Sequence, residues 1–328
     1  MENNSSTQNE KELNILDRFT NIIPLLNSPL TVLFVINNTI SLYEFPKSNL
    51  EKFKLLHNFT YTDSILQILP FEISSNEFIV VGKSNKKIEI VNLNQDNKTI
   101  EVKYSYTHQK KLTSMFEIKE DKDKFLFFSD KFGEITIKKI TPEETTESFE
   151  KKGKIISGHC DLITFLNISQ NNKLLFSTDS FGKIKIYEFP NMFNVLSVLL
   201  YPNEGIKYCN FIGEHDKALL VLTNTNEIHT WSMYDFVLQK KKQIDIDGNE
   251  KVISITMNKE QKEFILETTK KFVVYEVSDF TFEIKDTKTI NKEENDKDLL
   301  VKVFYLENKR NVAYFDKENS LKKIISIN

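Results

Sequence analysis

The stretch Leu174–Phe189 reads LLFSTDSFGKIKIYEF, and it joins an apolar run to an alternating run through a short polar turn. In the second run, Ile184 and Ile186 alternate with lysines, which is the two-residue period of a half-buried β-strand. The first run, Leu174–Ser177, is apolar almost throughout, as is typical of a strand that is buried on both faces. The stretch therefore predicts two consecutive β-strands that both contribute to a core.

Pairs of runs of this kind occur seven times, and their first members recur at intervals of about 45 to 49 residues, close to the period of WD repeats. The pairs are Leu33–Ile36 with Thr39–Phe45, Phe78–Val81 with Lys87–Leu93, Phe125–Phe128 with Glu134–Ile140, Leu174–Ser177 with Lys183–Phe189, Leu219–Leu222 with Glu227–Met233, Phe264–Glu267 with Lys271–Val277, and Val312–Phe315 with Leu321–Ile327. A further strand-like run precedes most pairs, and a fourth strand is expected in the linkers, as at Val195–Leu200 and Phe280–Ile284. Four strands per unit and seven units predict an all-β, seven-bladed β-propeller of the WD-repeat type. The alternative is a pair of β-sandwiches, which the sustained long period disfavours.

Domain organisation follows from the same period. We expect a disordered N-terminal tail over residues 1–14 and a single propeller over residues 15–328. Polar stretches such as Lys240–Gln243 and Asn291–Lys297 are interpreted as loops. The basic run Lys240–Lys242 could also be a nuclear signal or a contact to an RNA backbone, but a solvated hairpin loop is the favoured interpretation.

Composition limits the classes of function. The formal net charge is −3, so no basic excess is available to hold a nucleic acid over a large surface, and we expect tRNA or other RNA to be held mainly by a partner. No apolar h-region or membrane-spanning run is present, so neither a secretory signal nor a membrane partner is expected. The two cysteines do not make a disulfide framework, which fits a reducing compartment.

One unit keeps the marks of a WD repeat. Gly158 and His159 open it, and Thr178 and Asp179 lie in the turn before its alternating strand. In WD repeats such a histidine and aspartate hydrogen-bond across the blade together with a serine or threonine, and mutual satisfaction makes their burial tolerable. We therefore interpret His159, Asp179 and Thr178 as structural blade hydrogen bonds rather than as catalytic groups.

The same unit and the one before it resemble the non-catalytic WD-repeat subunit of tRNA (guanine-N7-)-methyltransferase. The resemblance lies in Gly158-His159, in Thr178–Ile186, and in the preceding turn Ser129–Ile135, which is similar to the family's Asp-Lys-x-Gly-Asp-Val. This sequence departs from the family at Ser180-Phe181-Gly182, where the family has Arg-Asp-Glu, and at Tyr201-Pro202, where it has a second Gly-His. About two adjacent blades carry the resemblance, and the other five add support for the fold alone.

The resemblance implies a heterodimer in which a catalytic methyltransferase subunit binds S-adenosylmethionine and methylates a guanosine in the tRNA variable loop. This chain would bind no cofactor itself and would stabilise that subunit. The family's basic residue at the partner surface corresponds to Lys185, with Lys183 nearby, and Asp130 and Lys131 are partner-binding candidates in the preceding turn. The resemblance also implies that the protein is located in the nucleus, with the cytoplasm as a second location. Without the resemblance, Lys185 is expected to be a solvated strand residue, and Asp130 a turn former beside Gly133, which should supply a positive φ.

The search for chemistry in the sequence finds no metal-ligand spacing among the five histidines, no phosphate-binding glycine loop and no nucleophile elbow. The expected function is therefore binding rather than catalysis. Two other hypotheses stay open: a WD-repeat scaffold in another assembly, such as a ribosome-assembly or ubiquitin-ligase complex, and an enzyme whose site lies in the propeller channel.

Overall fold

The computed structural model describes residues 22–25, 31–46, 52–73, 76–94, 99–120, 123–141, 145–151, 153–190, 195–201, 205–213, 216–258, 260–278, 283–292, 299–306, 309–316 and 320–327. The tail expected over residues 1–14 lies outside them. The chain divides into two compact units, Met1–Ile163 and Thr164–Asn328. The expectation of one domain over residues 15–328 stays a prediction.

The first unit contains three antiparallel sheets of four strands each, in which neighbours along the chain are neighbours in the sheet. The first sheet comprises β1 (Ile22–Pro24), β2 (Thr31–Ile36), β3 (Thr39–Glu44) and β4 (Lys54–Thr60). The second comprises β5 (Ile65–Ile73), β6 (Asn76–Lys83), β7 (Lys87–Asn94) and β8 (Thr99–Thr107). The third comprises β9 (Leu112–Glu120), β10 (Asp123–Asp130), β11 (Glu134–Ile140) and β12 (Lys154–Ser157).

The remaining four sheets belong to the second unit, apart from the first residue of β13. The fourth sheet comprises β13 (Ile163–Ile168), β14 (Leu174–Asp179), β15 (Lys183–Glu188) and β16 (Val195–Leu200). The fifth comprises β17 (Ile206–Ile212), β18 (Ala218–Thr223), β19 (Glu227–Ser232) and β20 (Leu238–Gln243). The sixth comprises β21 (Val252–Met257), β22 (Glu263–Thr268), β23 (Lys271–Val277) and β24 (Ile284–Asn291). The seventh contains three described strands, β25 (Leu300–Leu306), β26 (Lys309–Phe315) and β27 (Leu321–Ile327).

The seven predicted pairs of runs are the second and third strands of the seven sheets. β18 is buried at every position, and β2 and β14 are buried at all but one, as expected for strands covered on both faces. Among the third strands, β15 begins with the predicted alternation, whereas β3, β7 and β23 are each buried at four consecutive positions, so these strands are covered on both faces more fully than the sequence period indicated. Aromatic rings fill the space between strands and sheets; Phe176 and Phe211, for example, meet edge to face with centroids 5.1 Å apart.

Two features of the chain differ from the sequence expectations. Lys240–Gln243 was expected to be a loop, but it lies in strand β20, whose side chains are mostly exposed. An exposed last strand buries few side chains, so it lacks the apolar alternation by which strands are recognised. A short helix, α1 (Thr146–Glu150), was not predicted at all; Thr145 caps its N-terminus, and Phe149 is buried. Of the fourth-strand run predicted at Phe280–Ile284, residues 280–282 lie outside the described residues, and β24 includes Ile284.

Candidate functional site

The turn between β14 and β15 fixes the start of the strand that carries the predicted lysines. Asp179 is buried, and its Oδ1 accepts hydrogen bonds from the backbone N–H groups of Phe181 (3.0 Å) and Lys183 (2.9 Å). Gly182 has a φ of +81°, and a Cβ there would lie 2.4 Å from the carbonyl oxygen of Tyr201. Aspartate favours such turns by accepting backbone hydrogen bonds, and glycine alone tolerates this backbone approach without strain.

Thr178 lies one residue before this turn and ties β13 to β14. Its hydroxyl oxygen lies 2.6 Å from that of Thr164 and accepts a hydrogen bond from the backbone N–H of Phe165 at 3.0 Å. Both threonines are buried, so each hydroxyl group needs a hydrogen-bond partner within the protein, and the two hydroxyl groups supply it to each other. His159 is also buried, in the first unit, and its expected hydrogen bond to Asp179 stays a prediction.

The third sheet contains a corresponding turn between β10 and β11. The Asp130 side chain has no exposed surface, and its Oδ1 accepts hydrogen bonds from the backbone N–H groups of Phe132 (2.8 Å) and Glu134 (3.2 Å). Its Oδ2 lies 3.1 Å from Nε2 of the buried His108. Gly133 has a φ of +85°, as the turn was predicted to require.

Protonation of Asp130 is controlled by these contacts. Burial by itself would raise the pKa of the carboxyl group, but the hydrogen bonds from His108, Phe132 and Glu134, together with the charge of Lys110, outweigh it and lower the pKa. Asp130 is therefore a buried carboxylate that holds a turn. It was expected to be a partner-binding residue; from this buried position, it would act on a partner only through the shape of the turn.

Sequence reasoning missed His108, although a signal for it exists. His108 precedes Thr113 by the same spacing as His159 precedes Thr164. The hydroxyl oxygens of Thr113 and Ser129 lie 3.0 Å apart, in the manner of the threonine pair in the fourth sheet. No glycine precedes His108, so the Gly-His mark by which WD units are recognised is missing here.

Lys131 occupies the exposed tip of the same turn. Its Nζ lies 5.0 Å from the centroid of the Phe132 ring, and Nζ of Lys110 lies 5.1 Å from it. Phe132 is itself more than half exposed. Lys131 is therefore accessible to another molecule, as a partner-binding residue must be, whereas Asp130 is not.

Lys183 and Lys185 lie on one face of the ladder between β15 and β16. Lys183 is opposite Leu200 and Lys185 is opposite Val198, and directly opposed residues point to the same face. Both lysines are half-buried, but Leu200 is 62% exposed and Val198 is 46% exposed. The opposite face carries buried aliphatic residues such as Ile186. This face therefore combines two cationic side chains with two accessible aliphatic ones.

Strand β16 differs in composition from the other last strands of the described sheets. Its sequence, VLSVLL, contains no charged residue, whereas β4, β8, β12, β20, β24 and β27 each contain at least one lysine. Lysine on an edge strand opposes pairing with another chain, and a contiguous exposed apolar patch marks an interaction site. We call the surface formed by Lys183, Lys185, Val198 and Leu200, together with the exposed Val195 and Leu196, the β16 surface.

The described residues contain no group of three or more histidine, cysteine, aspartate or glutamate side chains arranged to hold a metal ion. Cys160 is exposed and Cys209 is buried, and both are free thiols; burial raises the pKa of the Cys209 thiol well above its usual value, so it is protonated at neutral pH. In the part of the chain that the structure describes, no helix is long and apolar enough to cross a membrane.

Comparisons with known proteins define the fold. No family model matches the chain, and no curated protein matches it. A chain in the crystal structure of the mitotic checkpoint complex is similar over 92% of this chain and 88% of its own length, with 13% identity and a TM-score of 0.62. The C-terminal WD40 domain of Sif2 is similar over 95% of this chain and 97% of its own length, with 14% identity and a TM-score of 0.63. The protein is a seven-bladed β-propeller with the fold of WD40 domains, in which each of the seven sheets is a blade.

Proposed function

We propose that this chain is the non-catalytic subunit of a tRNA (guanine-N7-)-methyltransferase, and that it binds its catalytic partner through the β16 surface. The fold of WD40 domains supports the coarser part of this proposal, which is that the chain mediates protein interactions. The partner, the tRNA substrate and a nuclear location rest on the sequence resemblance in the third and fourth blades.

The observation that carries the proposal is the exposure of β16. A strand with four exposed aliphatic side chains and no charge is costly to leave in water, at about 25 cal/mol per Å² of apolar surface. Interfaces are built around such apolar centres with polar rims. The resemblance had already indicated Lys185 as the residue at the partner surface, and Lys185 is the cross-strand neighbour of Val198.

The charges of the surface indicate the chemistry of the partner. Lys183 and Lys185 are half-buried beside aliphatic groups, so a partner that covers them would remove them from water. A covered lysine needs a carboxylate, and such a desolvated pair can contribute several kcal/mol of coupling, against less than about 1 kcal/mol for an exposed pair. The partner face would therefore be apolar with at least one acidic residue, and S-adenosylmethionine would be bound by the partner.

Co-expression with the candidate methyltransferase of the same genome tests the proposal. Guanine-N7 methylation of tRNA would be measured with each subunit alone and with both together, and complex formation by gel filtration. Activity that requires both chains supports the proposal. A methyltransferase that is fully active alone and elutes separately would contradict it and leave a WD-repeat scaffold of another assembly.

Substitutions test the surface itself. Lys185→Glu and Val198→Asp should each weaken the complex by about ten-fold or more, which corresponds to at least about 1.4 kcal/mol. Lys240→Glu and Val102→Asp are matched controls, because they make the same changes at exposed positions on the last strands of other sheets. If Lys185→Glu binds as tightly as Lys240→Glu does, Lys185 is not in the interface.

A further inference from the structure

Strand β16 points some of its backbone polar groups away from its neighbour β15. Just beyond the end of β16, the backbone N–H of Tyr201 donates to the carbonyl oxygen of Gly182 at 2.9 Å. In an antiparallel ladder, residue pairs that exchange hydrogen bonds alternate with pairs that do not. Counted along the register from Tyr201 and Gly182, both Leu200 and Val198 belong to pairs that do not exchange them. The N–H and C=O groups of Val198 and Leu200 therefore point away from β15.

No strand of the described sheets lies on that side of β16, which is the last of the four strands in its sheet. Its register with β15 is regular from Ser197 to Leu200. The side chains of Val198 and Leu200 are exposed, whereas that of Leu199 between them is buried. The edge therefore offers backbone donors and acceptors beside apolar side chains, which is what a strand of another chain needs for pairing.

The composition of β16 fits a second copy of the same strand. Two antiparallel copies related by a twofold axis at Leu199 would place Val198 of each copy opposite Leu200 of the other. The backbone groups of both residues point outward, so each of these two pairs would exchange hydrogen bonds in both directions. Both pairs lie in the regular part of the strand, and both bring aliphatic side chains together.

The lysines of the β16 surface are far enough from the edge to permit this pairing. Lys183 and Lys185 lie on β15, so the lysines of the two copies would be separated by three strand spacings, about 14 Å. The Debye length at physiological ionic strength is about 8 Å, so salt screens most of their repulsion. Self-pairing of β20, which contains three consecutive lysines, would instead bring lysines of two copies to within one strand spacing of about 5 Å. The absence of charge on β16 therefore favours a copy of itself as the occupant of this edge.

We propose that two copies of this chain bind each other by antiparallel pairing of their β16 strands, centred on Leu199. The four-stranded sheets of the two copies then join into one continuous sheet. The contact is isologous, because the same strand contributes from both copies, so it closes as a dimer and does not grow further. The strand is the one that the proposed function assigns to the catalytic partner, but the pairing needs no partner, so the two proposals are tested separately.

Disulfide trapping on the full chain tests the pairing and its register. Val198→Cys and Leu200→Cys are made in separate chains, each with the exposed Cys160 changed by Cys160→Ser, and the two are mixed under mild oxidation. The mixed disulfide, identified by its intact mass, should form at least about ten-fold faster than either homodisulfide, because facing residues lie about 5.5 Å apart, within reach of a disulfide. Two copies of the same variant would hold their cysteines about 8 Å apart, beyond the roughly 7 Å limit for a bridge without backbone movement.

A control variant and a second measurement complete the test. Val102→Cys, also with Cys160→Ser, carries a comparably exposed cysteine on β8, and its mixture with Leu200→Cys should cross-link no faster than the homodisulfides form. Sedimentation equilibrium of the native chain should show a monomer and a dimer in concentration-dependent proportions. A chain that stays monomeric at its highest soluble concentration, as expected if only another protein covers β16, would overturn the proposal. A mixed disulfide of the two β16 variants that forms no faster than the homodisulfides or the Val102→Cys control would overturn it too.

Discussion

At the scale of single residues, a small number of buried polar groups hold the turns of the propeller in place. Asp130 is the clearest of them, because its carboxylate accepts two backbone hydrogen bonds and faces a buried histidine. Its pKa is lowered in the folded protein, so its contribution to the free energy of unfolding is present above the ordinary aspartate pKa. That contribution is lost as the pH falls through the lowered pKa.

Asp130→Asn should therefore reduce the free energy of unfolding at neutral pH by about 1–3 kcal/mol, because an amide replaces one acceptor oxygen with a donor. The difference from the native chain should shrink as the pH falls below about 4, because Asp130 then binds a proton in the unfolded chain and, only at lower pH, in the folded chain as well. Urea denaturation at pH 7 and at acidic pH measures both effects. Asp245→Asn, at an exposed aspartate, serves as the control and should change stability by less than about 0.5 kcal/mol. A difference between Asp130→Asn and the native chain that stays constant with pH would contradict this explanation.

At the scale of secondary-structure elements, the last strand of a sheet presents backbone groups with which another chain could pair. The lysines of most last strands oppose edge-to-edge pairing, and β16 lacks that protection. We expect the isolated chain to self-associate through β16 as its concentration rises, because the partner that would cover the strand is absent.

Val198→Lys should lower the apparent association constant of the isolated chain by about ten-fold or more, since it puts a charge at the centre of the exposed strand. Sedimentation velocity over a range of concentrations measures the change. Val102→Lys is the control, because Val102 is similarly exposed on β8 but already lies between Glu101 and Lys103. Equal self-association of Val198→Lys and Val102→Lys would show that β16 is not the contact.

At the scale of the whole molecule, neighbouring sheets must pack against one another. A chain of side-chain hydrogen bonds links the end of the fourth sheet to the fifth sheet. Nε1 of Trp231 donates to Oη of the buried Tyr201 at 2.6 Å, and Oη lies 3.1 Å from Nδ1 of His229. Nε2 of His229 lies 2.9 Å from Glu227, and this hydrogen bond lowers the pKa of Glu227. The ionised Glu227 only accepts hydrogen bonds, so Nε2 of His229 donates to it, while Oη of Tyr201 is the hydrogen-bond partner of Nδ1.

Tyr201→Phe should lower the free energy of unfolding by about 1–3 kcal/mol. It removes the hydroxyl group that Nε1 of Trp231 and Nδ1 of His229 contact, while it keeps the aromatic packing. The midpoint of urea denaturation measures the loss. Tyr234→Phe removes a hydroxyl group from a side chain that is 96% exposed, and it should leave the midpoint unchanged. Coincident midpoints for Tyr201→Phe and Tyr234→Phe would mean that the hydrogen-bond chain does not stabilise the packing of the two sheets.

Much of the fold could be predicted from the sequence, because strand alternation and turn chemistry are local properties. The hairpin of β14 and β15 is an example. Its alternation at Ile184 and Ile186 and its turn at Asp179 and Gly182 all lie within eight consecutive residues, so they can be identified from the local sequence. Strand β20 was not predicted, because its side chains are mostly exposed and burial therefore imposes no alternation of apolar and polar residues on it. Less of the candidate site could be predicted: a strand was expected at Val195–Leu200, but the register that places Lys185 opposite Val198 and the exposure of Val198 are set by pairing and packing rather than by residue type.

The sequence by itself determined the seven repeats, the strand pairs and the residues that turn between them, because each depends on neighbours within a few positions. Only the tertiary structure decided that Asp130 is a buried carboxylate facing His108 and that Lys185 lies opposite an exposed Val198. Those facts depend on the register in which strands pair and on which turns and strands pack together. Exposure and hydrogen-bond satisfaction are properties of that packing, and no local pattern of residue types encodes them.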